Sequence, residues 1–200
     1  MLHIKVPATS ANMGPGFDCA GIALQLYNEI WVETIPSGIE ISSKTNENIP
    51  KDESNLIYST IRDFYEAENI PMPGIRLIQD DHIPMTRGLG SSAACIVGGL
   101  IAANILSGKN YSKEELAQKA AKLEDHPDNS NPAIFGDMII SAMYSEGMKY
   151  VKLNVPKNIL FAVMIPEFTL STKKARAVLP DSYTRSQSIF NSSRTGLMVA

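Results

Sequence analysis

"PMTRGLGSSAACIVGGLIAANIL", Pro84 to Leu106, is the stretch that decides how this chain folds. Its opening is a turn-rich loop carrying Gly88 and Gly90, and the run from Ala93 to Leu106 is apolar almost all round and too long for a strand. A helix with that pattern belongs inside the molecule, so the stretch predicts a central buried helix with a glycine loop at its amino end. Glycines let a ligand approach the backbone, and the unpaired N–H groups and positive dipole end of a helix favour an anion. Ser91 and Ser92 add hydroxyls for a phosphate or a cation. A Walker loop would need a lysine after Gly90, and none follows. Gly88, Gly90 and Ala93 match the dinucleotide pattern G-x-G-x-x-G/A, but "DDHIPMTR" before them is not a buried strand, and no strand ending in an acidic residue follows the helix. Two readings stay open on this loop alone: a phosphate held by backbone amides, or a helix that simply starts after a tight turn with a serine cap.

Working outward, Leu2, Ile4 and Val6 alternate with His3 and Lys5, and "ALQLYNEIWVETI" and "GIEISS" follow, bounded by Pro36, Ser37 and Gly38. That alternation predicts three strands. "NLIYSTIRDFYEAEN" places Leu56, Ile57, Ile61, Phe64 and Tyr65 on one helical face after Ser54 and Asn55 as caps. "GIRLIQDD" reads as a strand, and "SKEELAQKAAKLE" as a helix whose Ser112 and Glu115 have capping-box spacing. "DHPDNSNP" breaks that helix with two prolines. Two strands around "SEGMK", a further strand "NILFAVMIP" and a helix-like tail from Ser186 to Ala200 complete the pass. The tail lacks a terminator, so the sequence predicts a chain that stops inside an element.

The 200 residues are 44% hydrophobic and 20% charged, enough for one large domain or one domain and part of another. A net charge of -3 with no basic stripe argues against nucleic acid. No segment is apolar for long enough to cross a bilayer, and the amino terminus reads as a strand, not a signal peptide. Cys19 and Cys95, with no C-x-x-C spacing, suggest neither a disulfide framework nor zinc, and fit a reducing cytoplasm.

"PMTRGLGSSAA" resembles, nearly residue for residue, the P-x-x-x-G-L-G-S-S-A-A motif of the small-molecule kinases named for galactokinase, homoserine kinase, mevalonate kinase and phosphomevalonate kinase. "VPATSANMGPGFDCAGIAL" (Val6–Leu24), "HPDNSNPAIFG" (His126–Gly136) and "STKKARAVLP" (Ser171–Pro180) are similar, in the same order, to segments of the homoserine kinase branch. The resemblance implies an α+β, two-domain fold. Residues 1–155 would be an ATP-binding domain with a mixed sheet and a buried helix after the phosphate loop, and residues 156–200 the opening of a ferredoxin-like domain. It also implies ATP-dependent phosphorylation of the side-chain hydroxyl of L-homoserine, in threonine biosynthesis. A homodimer is common among such kinases, though nothing in the sequence specifies one.

Carried over by position, Pro84, Met85, Thr86, Arg87, Gly88, Leu89, Gly90, Ser91, Ser92, Ala93 and Ala94 would form the nucleotide loop. Ser92 and Glu124 would hold Mg²⁺, a hard cation suited to one hydroxyl and one carboxylate with phosphate oxygens and water. Asn12, Asp18, His126, Asn129, Thr172 and Arg176 match the substrate pocket, with Asn12, Asn129 and Arg176 the residues on which the transfer depends. A zwitterion needs an acid for its ammonium and a guanidinium for its carboxylate, roles that suit Asp18 and Arg176. Each has a plainer reading: Glu124 and Arg176 as solvated charges, His126 as a structural histidine, Arg87 as a surface residue. The family's D-N-V-A-P stands here as "DNSNP" and a pair of glycines as "FGD", which leaves the shape after Asn129 open. Its third glycine-rich motif and a further substrate arginine have no counterpart in these residues. Rival functions are a superfamily kinase of mevalonate or a sugar, a nicotinamide-binding domain and a non-catalytic module.

Overall fold

The computed structural model describes residues 1–45, 48–165, 167 and 175–200. Its elements are β1 (Leu2–Ala11), β2 (Ala20–Ile35), β3 (Ile39–Ser43), α1 (Leu56–Ala67), β4 (Gly74–Asp80), α2 (Ser91–Ser107), α3 (Lys113–Glu124), α4 (Ser130–Phe135), β5 (Met138–Tyr144), β6 (Gly147–Leu153) and α5 (Arg185–Val199). The strands form one mixed sheet in the order β3-β4-β2-β5-β6, with β1 also paired to β2. Among the described strands only β3 and β4 run parallel.

β2 is long enough to serve two neighbours on one edge. Its first residues, Ala20–Ile22, pair with β5, while Glu29–Ile35 pair with β4. Along the other edge it pairs with β1, and the register shifts between Pro7 and Thr9. Such an irregularity re-aims side chains, and here it precedes Thr9, which reaches the glycine loop.

The predicted buried helix is α2. It packs against α1 and β1, and its core neighbours include Ile30, Ile57, Ile61, Phe64 and Leu77. Two adjacent glycines set how close it sits. A Cβ on Gly98 would lie 3.1 Å from Ile30 Cδ1, and one on Gly99 would lie 2.9 Å from the Ile57 carbonyl oxygen of α1. Asn55 caps α1, its side chain accepting from the Ile57 and Tyr58 amides, and Ser112 and Glu115 close the capping box of α3.

Two expectations fare differently. "DHPDNSNP" does end α3, with Asp125 in the left-handed region (φ 64°), but the chain returns to helix at Ser130. No strand forms over residues 158–165. Leu160 and Met164 are each 93% exposed. The segment has strand composition but no sheet neighbour among the described residues, and composition alone does not make a strand. After β6 the described residues include α5 but no strand, so no ferredoxin-like sheet is seen among them. α5 carries a capping box, Thr184 with Gln187, that starts it one residue before the predicted tail.

Candidate active site

At the amino end of α2 the chain turns through Thr86 (φ 56°), Gly88 (φ 70°) and Gly90 (φ 67°), all left-handed. Gly90 is the N-cap, and no side chain caps the helix. The first-turn amides of a 17-residue buried helix are thus left to another acceptor. Gly90 is required twice over: for its backbone angle, and because a Cβ there would lie 2.0 Å from Thr9 Oγ1 and 3.1 Å from Asn129 Oδ1. The Thr9 amide donates to Leu89 O (3.1 Å) and its hydroxyl to Asn129 Oδ1 (2.8 Å). Loop, first strand and Asn129 therefore meet at one point. Leu89, Ala93 and Ala94 are buried as the loop's footing, while Met85, Thr86 and Ser92 are exposed, and Pro84 and Ser91 half-buried. Arg87 is half-buried, not a surface residue. Its Nη2 donates to Glu167 O (2.7 Å), and its Nη1 is buried with no partner.

The dinucleotide alternative does not suit this geometry. β4 ends at Asp80, well short of Ser91, and α2 leads into α3 instead of a strand.

Residues 124–131 form the second wall. Among the described residues, buried side-chain atoms without a hydrogen-bond partner concentrate here: Glu124 Oε2, His126 Nδ1, Asp128 Oδ1, Ser130 Oγ and Asn131 Oδ1. Glu124 is not the solvated carboxylate of the plain reading. Burial first, then the Asp128 charge, push its pKa up to about 7, and Ser130 only partly opposes them. Asp128, 1% exposed, is likewise raised, chiefly by burial. His126 Nδ1 lies 3.2 Å from Asp128 Oδ1, close enough for charge attraction but not aligned as a hydrogen bond. Glu124 Oε2 makes no hydrogen bond to Ser92. The shape after Asn129 is a short helix, α4, ending at Gly136 (φ 71°) and Asp137 (φ 57°). Asp137 takes the left-handed conformation expected of a second glycine, which aspartate tolerates better than most residues. Lys152 Nζ holds its carboxylate at 2.9 Å.

The loop between β1 and β2 supplies the third wall. Asn12 (φ 58°) and Asp18 (φ 55°) are both left-handed, and Asn12 Oδ1 accepts the Asp18 amide at 2.9 Å. The Asp18 carboxylate is held by both Nη atoms of Arg176, at 2.8 and 2.5 Å, and Arg176 leans over the Phe17 ring at 5.3 Å. The Asp128 charge acts on both Arg176 and Cys19, which links this wall to the second. Thr172 lies outside the described residues.

Sequence reading did not single out Thr9 or Asp128. Thr9 looked like one more strand residue. Asp128 sits between Pro127 and Asn129 as though in a turn, and only its complete burial separates it from the exposed Asp125. A cavity of about 810 Å³ lies elsewhere. It is lined mainly by apolar residues such as Ile22, Leu24, Phe161 and Val163, and touches the glycine loop only at Leu89. The unpaired polar atoms are better evidence of a reactive site than that cavity. Both cysteines are free thiols, and burial pushes Cys95 up to about 12, so it is chemically inert.

Residues 55–137 match the family model for the GHMP kinases N terminal domain. Over its whole length the chain is 45% identical to the homoserine kinase of Caldicellulosiruptor saccharolyticus, covering 65% of that protein. It is 45% identical to the homoserine kinase of Clostridium botulinum, covering 67%. The solved structure of homoserine kinase from Cytophaga hutchinsonii superposes on 98% of the chain with a TM-score of 0.80 at 30% identity, and the chain covers 66% of it. The chain thus spans about two thirds of the length of the curated relatives it matches.

Proposed function

The chain belongs to the GHMP kinases, among the homoserine kinases, and from that premise we propose that the whole protein transfers the γ-phosphoryl group of ATP to the side-chain hydroxyl of L-homoserine, within threonine biosynthesis in the cytoplasm. The observation that carries this reading is the uncapped amino end of α2, held by Gly90 against Thr9 and Asn129. The amides of Ser91, Ser92 and Ala93 receive phosphate oxygens, and the loop from Pro84 to Ala94 wraps the nucleotide's phosphate tail. Asn12 and Asn129 orient the substrate, Asp18 takes its ammonium and Arg176 its carboxylate, with His126 and Thr172 completing the pocket. The same reading puts a domain boundary near Val155, just past the end of β6 at Leu153.

Ser92 and Glu124 are the residues that would hold Mg²⁺. The fit rests on Glu124, whose Oε2 is buried and unpartnered in a carboxyl held near 7 by burial and Asp128. No group of three His, Cys, Asp or Glu residues converges to hold a metal among the described residues, so phosphate oxygens and water would supply most of the shell. When bound, the cation balances charge on the phosphate oxygens. The protein's own share is alignment: tight placement of hydroxyl against phosphorus removes roughly 7–11 kcal/mol of barrier. No strong general base is needed for such a transfer.

Phosphorus NMR of the whole protein with Mg·ATP and L-homoserine tests the reading. A new phosphomonoester signal that is absent with mevalonate or a hexose supports it. ATP left intact, or a signal only with another alcohol, overturns it.

A further inference from the structure

Resting on that reading, we propose that Thr9 is a positioning residue for the transfer: its buried hydroxyl fixes which way round the Asn129 amide stands, so that Nδ2 and not Oδ1 faces the substrate's hydroxyl oxygen. Thr9 Oγ1 donates to Asn129 Oδ1 at 2.8 Å. Asn129 is the N-cap residue of α4, where an asparagine ordinarily turns its oxygen onto the helix's own first amides. Here its side chain makes no capping bond, and the oxygen is engaged by Thr9 instead.

Burial decides the sense of that bond. A carboxamide can meet a hydroxyl with either end, accepting through oxygen or donating through nitrogen. Thr9 is 0% exposed, so bulk water cannot take its proton. Turned round, the amide would donate to Oγ1 and leave the threonine proton without an acceptor, and a buried donor left unpaired costs stability. With Oδ1 committed to Thr9, Nδ2 is the end left for a ligand, and Asn129 is only half-buried. Among the described residues Nδ2 donates to no other group.

The contact also lies where the chemistry is placed. The register shift between Pro7 and Thr9 precedes it, and the Thr9 amide donates to Leu89 O at 3.1 Å, which ties β1 to the glycine loop. Asn129 Oδ1 stands 3.1 Å from where a Gly90 Cβ would lie, at the mouth of α2. A carboxamide that donates to the attacking oxygen holds it in place without taking its proton, which suits a transfer that needs no strong base. An amide oxygen in that place would hold the hydroxyl by its proton instead.

Steady-state kinetics of the whole protein with Mg·ATP and L-homoserine, comparing Thr9→Val and Thr9→Ser with wild type, test this. Valine keeps the β-branched shape and the backbone bond to Leu89 but not the hydroxyl, whereas serine keeps the hydroxyl. Thr9→Val should lower kcat about tenfold, equivalent to ~1.4 kcal/mol, with the KM for ATP unchanged, and Thr9→Ser should recover most of the loss. In an Asn129→Ala background, Thr9→Val should cost nothing further. An unchanged kcat in Thr9→Val, a raised KM for ATP without recovery by serine, or an equal further fall on top of Asn129→Ala would overturn the positioning role and leave the substrate reading intact. If another alcohol reacts and L-homoserine does not, the substrate reading falls; the same kcat pattern on that alcohol then upholds the positioning, and its absence overturns it. One readout is independent of turnover: by NMR, the Thr9 hydroxyl proton should be protected from solvent exchange in wild type and lose that protection in Asn129→Ala. Fast exchange in wild type would overturn the orientation.

Discussion

Asn28 and Asn55 are buried nearly as deeply as Asp128 and Ser130, at 5% and 2% exposure against 1% and 0%. Their circumstances are opposite. Asn28 Oδ1 accepts the His82 and Ile83 amides at 2.8 Å each, and its Nδ2 donates to Asp81 at 3.0 Å. Asn55 caps α1 with its oxygen and donates its nitrogen to Pro50 O and Gln79 Oε1. Every hydrogen-bonding atom of those two amides is engaged. Asp128 Oδ1 has only the His126 charge at 3.2 Å, and neither it nor Ser130 Oγ makes an aligned hydrogen bond. A buried polar atom left without an aligned hydrogen bond costs stability, so the first region is frame, while the second bears a cost that a ligand or a bound water would relieve. The difference separates scaffold from site in a fold whose sheet and helices pass beneath both.

The sharpest way to break this contrast is to alter the point where site and frame meet. Gly90→Ala adds a Cβ 2.0 Å from Thr9 Oγ1, which must displace the loop. Displacement by about 1 Å at a reacting centre costs on the order of 100-fold, so kcat/KM for ATP should fall by at least that much. Retention of wild-type kcat/KM would remove the α2 mouth from the mechanism. Next in size is a pair of substitutions with opposite signs. Asn28→Ala strips the His82 and Ile83 amides of their acceptor and should cost ~2–3 kcal/mol in urea unfolding. Asp128→Asn removes the charge that raises Glu124 and should leave stability unchanged or higher while activity falls. Equal losses of stability in the two variants would erase the distinction between the regions.

Arg176→Ala removes a charged, two-pronged donor and should raise the KM for L-homoserine, not for ATP, by an amount equivalent to ~1.5–3 kcal/mol. An unchanged homoserine KM would free Arg176 from the substrate's carboxylate. The smallest effect concerns a charge cluster in the frame. Hydrogen bonds from Lys119, then Tyr111 and Lys109, hold the Glu68 carboxyl at about 2, below its ordinary 4.5. A carboxyl with a depressed folded pKa adds stability above its unfolded value and loses it as the group protonates. The stability gap between wild type and Glu68→Gln should therefore be full at neutral pH and shrink as pH falls from 4.5 towards about 2. A gap that does not vary with pH would mean the cluster contributes packing alone.

What the sequence made legible was whatever is encoded locally. The all-round apolarity of Ala93–Leu106 gave the buried helix, and Ser112 with Glu115 gave a cap that needs only three residues of separation. Gly88 and Gly90 were legible because left-handed backbone asks for glycine. The strand expected at residues 158–166 failed where its described part needed a sheet neighbour, which no local pattern supplies. Thr9 meets Asn129 across 120 residues, and Asp18 meets Arg176 across 158. Resemblance named three of those four residues, but no periodicity pairs them, and Asp128 is marked only by a burial that the whole fold creates.

The span between Asp18 and Arg176 also matters during synthesis. At ribosomal rates of about 5–20 residues per second, the aspartate emerges roughly 8–30 s before its arginine exists. Through that interval the nascent chain carries the Asp18 carboxylate with no Arg176 to pair it. The two-pronged contact can form only after residue 176 has been added.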